Sequence, residues 1–124
     1  MRSVILTVVL FLNLSFGEIA VVANPSFRGT ERVEDLLLGL SEVRVVIYVT
    51  DDPEFNDTAV RKLIGISYED FKMLWMERAL DGRGVPPREL PPGEVYLRVR
   101  EDRNAIGVLP FEFVRDLKVL RLVR

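Results

Sequence analysis

Neither histidine nor cysteine occurs among the 124 residues. Their absence excludes Ser-His-Asp and Cys-His nucleophile systems, thiolate chemistry, disulfides and every zinc site built on imidazole or thiolate. An excess of positive charge is lacking too, with 17 Lys and Arg against 19 Asp and Glu and a net charge of -2. A nucleic-acid binder needs a basic face to neutralise phosphates, and this balance argues against one. What stays open is carboxylate chemistry, a hard-metal site made of oxygen ligands, or binding without catalysis. Hydrophobic residues at 48% and charged residues at 29% give a globular composition. The length bounds it to one domain of ordinary size.

The first residues read as a targeting segment. Met1-Arg2-Ser3 carries one positive charge and precedes Val4–Leu12, apolar but for Thr7. Asn13, Leu14 and Ser15-Phe16-Gly17 follow, with small residues at the positions that precede a signal-peptidase cut between Gly17 and Glu18. A membrane anchor needs roughly 20 apolar residues, and Asn13, Ser15, Gly17 and Glu18 interrupt the run too early. No Cys follows, which excludes a lipid-anchored form. Residues 1–17 are thus expected to be a cleaved signal peptide. Residues 18–124 are expected to be a periplasmic or secreted domain with no stable membrane anchor.

Along that domain, Glu18–Ala23 is a nearly continuous apolar run stopped by Asn24-Pro25, the pattern of a buried strand. Thr30 is placed to cap a helix whose stripe is Val33, Leu36, Leu37 and Leu40, with Gly39 as its stop. Val43–Val49 is β-branched and reads as a second strand. An acidic loop from Thr50 leads to a short helix carrying Val60, Leu63 and Ile64, with Asp57 as its N-cap and Gly65 at its end. Ser67 and Asp70 resemble a capping box. The helix they open sets Phe71, Leu74 and Trp75 toward the core and ends at Asp81-Gly82-Arg83-Gly84. A loop with four prolines follows, and Ala105–Leu109 and Leu117–Val123 read as further strands. The segment Val95–Arg100 fits both strand alternation and helical i,i+4 spacing. This order points to an α/β sandwich with a mostly parallel sheet.

Several of these stretches carry a resemblance. Asn24-Pro25-Ser26, Val33–Gly39, Arg61–Gly65, the Trp75 helix, Asp81–Leu90 and Asn104–Pro110 are similar, in order and spacing, to the small stand-alone proteins of the phosphate ABC-transporter substrate-binding type. The resemblance covers nearly all of residues 18–110. It implies a single-lobe, periplasmic-binding-protein-like three-layer sandwich, and it makes Pro92–Arg103 a helix. It also implies a non-enzymatic binder of phosphate or another small oxyanion, or an accessory to transport, with no cofactor and no metal. Two departures stand beside it. The chain is less than half the size of a two-lobed phosphate-binding protein, so half the ligand shell is missing unless another chain supplies it. And where that family has a Ser-Gly-Thr type turn, this sequence has Thr50–Thr58 with Asp51, Asp52, Glu54 and Asp57, charges that repel a dianion.

Open α/β sheets bind ligands outside the carboxyl ends of their strands. The candidate ligand-binding residues there are Asn24, Ser26, Thr50, Asn56, Thr58 and Arg61, and Arg83 between its two glycines offers a further guanidinium. Turn, capping and solvated-surface roles account for the same residues. The acids lie on loops and helix first turns, where solvation explains them, and their spacing is not that of an EF-hand. The alternative function is a protein-interaction module that has lost its ligand. Its partner, or a second copy of the chain, would sit on the face left by the missing lobe.

Overall fold

The computed structural model describes residues 17–124. The segment read as a signal peptide lies, but for Gly17, outside the described residues. Side-chain alternation along the strands decides the layers. In β1 (Ile19–Ala23) all five residues are buried, Ile19, Val21 and Ala23 on one face and Ala20 and Val22 on the other. In β2 (Val46–Thr50) and β4 (Ala105–Pro110), Ile47, Val49, Ile106 and Val108 join the first face, while Tyr48, Ala105 and Leu109 join the second. Against the first face pack α1 (Val33–Leu38), α2 (Pro53–Ile64) and α3 (Tyr68–Leu80), through Leu36, Leu37, Val60, Leu63, Phe71 and Trp75. Against the second packs α4 (Pro92–Glu101), through Val95 and Val99. The chain is an α/β sandwich with helices on both faces of one sheet.

The sheet is completed by β3 (Arg88–Leu90) and β5 (Lys118–Val123), in the order β3-β2-β4-β1-β5. β2 pairs in parallel with β3 and β4, whereas β1 is antiparallel to both β4 and β5. Four strands therefore point one way and β1 the other. The expected mostly parallel sheet holds for strand direction, but β1, set between β4 and β5, makes the pairing mixed. The only helix between β1 and β2 is α1, six residues or about 9 Å long, and the chain leaves and re-enters the sheet at the same end. This reversal decides the site geometry, because the carboxyl ends of β1 and β2 lie at opposite ends of the sheet.

Several element boundaries differ from the sequence expectation. Thr30 caps nothing: the N-cap position of α1 is Arg32, with no side-chain hydrogen bond. Gly39 ends α1 at φ 69°, and the N–H of Leu40 turns back to the Asp35 carbonyl at 2.8 Å. Leu40 therefore falls past the helix, 65% exposed, and does not extend the apolar stripe. α2 begins at Pro53, and its N-cap is Asp52, whose carboxylate accepts the N–H groups of Glu54 and Phe55 at 3.1 and 3.3 Å. Asp57 lies inside that helix. Ser67 does cap α3, accepting from the Asp70 N–H at 3.0 Å, while Leu74 is only partly buried. The ambiguous Val95–Arg100 segment is helix, with Pro92 in its first turn and Val95 and Val99 inward. Arg88–Leu90 is an edge strand that no apolar alternation announces.

Candidate functional site

Two concavities open at opposite ends of β2, and they differ in charge. The first, of about 340 Å³, lies at the carboxyl ends of β2 and β4. Thr50 and Thr58 line it, with the apolar walls Ile19, Phe55 and Phe113. Its charged residues are Glu18, Asp52, Glu54 and Glu112, with no Lys or Arg among the lining. The first free N–H groups of α2, the natural seat for an anion, are taken by the Asp52 carboxylate. Thr50 and Asn56 are satisfied by each other: the Thr50 hydroxyl donates to Asn56 Oδ1 at 2.9 Å, and Asn56 Nδ2 donates to the Thr50 carbonyl at 2.8 Å. Arg61 is committed elsewhere, to Asp57 at 2.8 Å. The other Asp57 oxygen accepts the Tyr68 N–H at 2.9 Å, so Asp57 secures the start of α3. Arg61, and then that N–H, hold the Asp57 carboxyl below its ordinary range.

Asn24 and Ser26 lie at the other end, because β1 runs backwards. Asn24 Nδ2 donates to the carbonyls of Val99 and Arg100, at 3.1 and 2.7 Å, closing the last turn of α4. Its Oδ1 accepts from both the N–H and the hydroxyl of Ser26, at 3.0 and 2.7 Å. The structure thus brings Thr50, Asn56 and Thr58 together, keeps Arg61 on its own helix, and sets Asn24 and Ser26 in a separate turn.

Arg83 lines the second concavity, of about 370 Å³, formed where α1 ends, β2 begins and the Gly82–Gly84 turn passes. Its polar lining, among the described residues, is Arg44, Arg83, Ser41 and Asn104, with no Asp or Glu. Its inner wall includes Leu36, Val45 and Trp75, all buried. The Trp75 indole N–H donates to the Leu37 carbonyl at 2.8 Å, fixing the ring. A Cβ on Gly84 would stand 2.8 Å from Trp75 Cζ3, so only glycine lets that turn close over the indole. Arg78 lies over the ring, 5.9 Å from its centroid, and donates to the Gly39 carbonyl at 3.2 Å. Arg83 pairs with Asp81 at 3.0 Å, with both side chains more than half exposed. Arg44 is exposed and forms no ion pair among the described residues.

Sequence reasoning missed Arg44. Its signal was present as the one charge interrupting the Val43–Val49 run. Because β2 starts only at Val46, Val43–Val45 line the cavity and precede the strand.

Among the described residues no group of three or more acidic side chains is placed to hold a metal ion, and no helix is long and apolar enough to cross a membrane. Comparisons with protein families, curated proteins and solved structures found no match for this chain.

Proposed function

We propose that this chain is a non-catalytic binding domain, an exported α/β lobe of the periplasmic-binding-protein kind, that holds an oxyanion between Arg44 and Arg83. One observation carries the reading: the lining of the cavity at the start of β2 includes Arg44, Arg83, Ser41 and Asn104 and no Asp or Glu, and the Asp81 carboxylate that an anion would displace from Arg83 is more than half exposed. Guanidinium forks match carboxylate and phosphate oxygens in pairs, and hydrogen bonds to charged groups are the stronger ones. The strand-end cavity that the resemblance points to is the poorer seat, since four carboxylates line it and Asp52 already occupies the helix start.

The test is titration of the chain with phosphate, sulfate and acetate at fixed ionic strength. Saturable binding should appear, weakened about ten-fold or more by Arg44→Ala or Arg83→Ala, and left unchanged by Thr58→Ala. Absence of binding by all three anions and by larger anions alike would reject the reading. Export is checked separately by mass spectrometry of the secreted protein, which should begin at Glu18.

A protein-interaction role has its own observation. Met73, Met76 and Leu80 lie at i, i+3 and i+7 on the outer face of α3, each more than half exposed, beside Glu69, Asp70 and Glu77. Methionine-rich faces of this kind accept varied partners, and the acidic flank suits an amphipathic helix carrying Lys and Arg.

A further inference from the structure

The arginine-lined cavity has two unlike halves. Arg44, Arg83, Ser41 and Asn104 supply its polar rim, and Val43, Val45 and Val85 with the Trp75 edge supply an apolar wall. A volume of about 370 Å³ lies within the range of pockets that take organic ligands, about 300–1,000 Å³, and is several times that of a bare tetrahedral oxyanion. Water against the apolar half gains nothing from the arginines. A ligand that fills both halves gains from each.

We infer that the ligand is an organic anion, one carboxylate or phosphate headgroup carried on an apolar body of several carbons, with the headgroup at Arg44 and Arg83 and the body along Val43, Val85 and Trp75. This rests on the anion site proposed above and adds the ligand class. The apolar wall is built rather than incidental. Leu36, Val45 and Trp75 are buried core residues that reach the cavity. Gly39 and Gly84 clamp the indole so closely that a Cβ on either would lie 3.1 or 2.8 Å from it. The ring cannot swing out to stack on a ligand. It serves as a fixed wall, which selects by fit along its edge and leaves charge recognition to the rim.

The chain's one tryptophan therefore sits in the cavity and reports on it. The experiment is a fluorescence titration of the full chain at constant ionic strength with hexanoate against acetate, n-butyl phosphate against phosphate, and hexanol as the uncharged control. Within each matched pair the longer anion is expected to bind at least about ten-fold tighter. Arg44→Ala and Arg83→Ala should weaken both members, whereas Val85→Asn, at a half-exposed position where folding is not at stake, should weaken only the longer one. Equal affinity within each pair, with dependence on the arginines kept, overturns the inference and leaves the anion site standing. Hexanol binding as tightly as hexanoate, unaffected by Arg44→Ala, overturns both. Silence from every ligand, in fluorescence and in calorimetry, also overturns both.

Discussion

Thr50 and Asn56 lock the carboxyl end of β2 to α2 through two reciprocal hydrogen bonds, hydroxyl to amide oxygen and amide nitrogen to backbone carbonyl, with both residues about 1% exposed. The same Thr50 hydroxyl accepts the Asp52 N–H at 3.2 Å, which turns the chain into the helix cap. The pair therefore spends its polar groups on the fold. Asn56→Ala should cost about 1–3 kcal/mol, because a buried carbonyl and a hydroxyl lose their partner. Urea denaturation measures it. A loss below about 0.5 kcal/mol would mean water replaces the amide there, and the lock would not be structural.

Asp52 offers a sharper test of what holds the start of α2. Removing its carboxylate oxygens should cost about 1 kcal/mol, the usual worth of an N-cap. Asn keeps an oxygen acceptor in place and should recover most of that loss. If Asp52→Ala and Asp52→Asn proved equally destabilising, the charge rather than the cap bond would be at work, since the helix dipole favours an anion at that end.

How much of this was legible in the sequence depended on range. Buried strands announced themselves in Ile19–Ala23 and Ala105–Leu109, because β-branched and apolar residues run without interruption where both faces are covered. Ser67 marked the start of α3 because the cap bond is local. Asp52-Pro53 carried an equally local signal, an N-cap followed by proline, but the dense acids from Asp51 to Asp57 resemble a loop. The direction of β1 has no local signature at all. Its reversal separates Asn24 from Thr50 and dissolves the site that strand-end reasoning assembles. Arg44 and Arg83 are 39 positions apart and line one cavity because a glycine turn folds over Trp75, a relationship set by tertiary packing.

Gly107 shows why α4 lies so close to the sheet. A Cβ there would stand 2.8 Å from Val99 Cγ2, 3.2 Å from Val22 Cγ2 and 3.3 Å from Val95 Cγ1. All three are fully buried β-branched side chains with few alternative rotamers. Gly107→Ala should therefore destabilise by about 1–3 kcal/mol through overpacking, even though alanine ordinarily suits a strand better than glycine. Thermal unfolding reads this directly. A neutral or raised Tm would show that α4 can lift from the sheet at little cost.

Glu34 in α1 and Arg121 in β5 join the first helix to the far edge strand, 87 positions apart in sequence. The Arg121 hydrogen bond, aided by a backbone N–H and by Arg32, pulls the Glu34 carboxyl from 4.5 down to about 2. The folded value lies below the unfolded one, so the contribution is fully present above about pH 4.5 and is lost as the pH falls through about 2. Other carboxylates titrate in the same window, so the comparison must be between the natural chain and Arg121→Gln. Their urea midpoints should differ at pH 6, converge between pH 4 and pH 2, and coincide below that. The gap should also narrow in high salt, since both side chains are partly exposed and screening reaches them. A gap that stayed constant down to pH 2 would assign the effect of Arg121 to packing of its alkyl chain against α1 instead of to the ion pair.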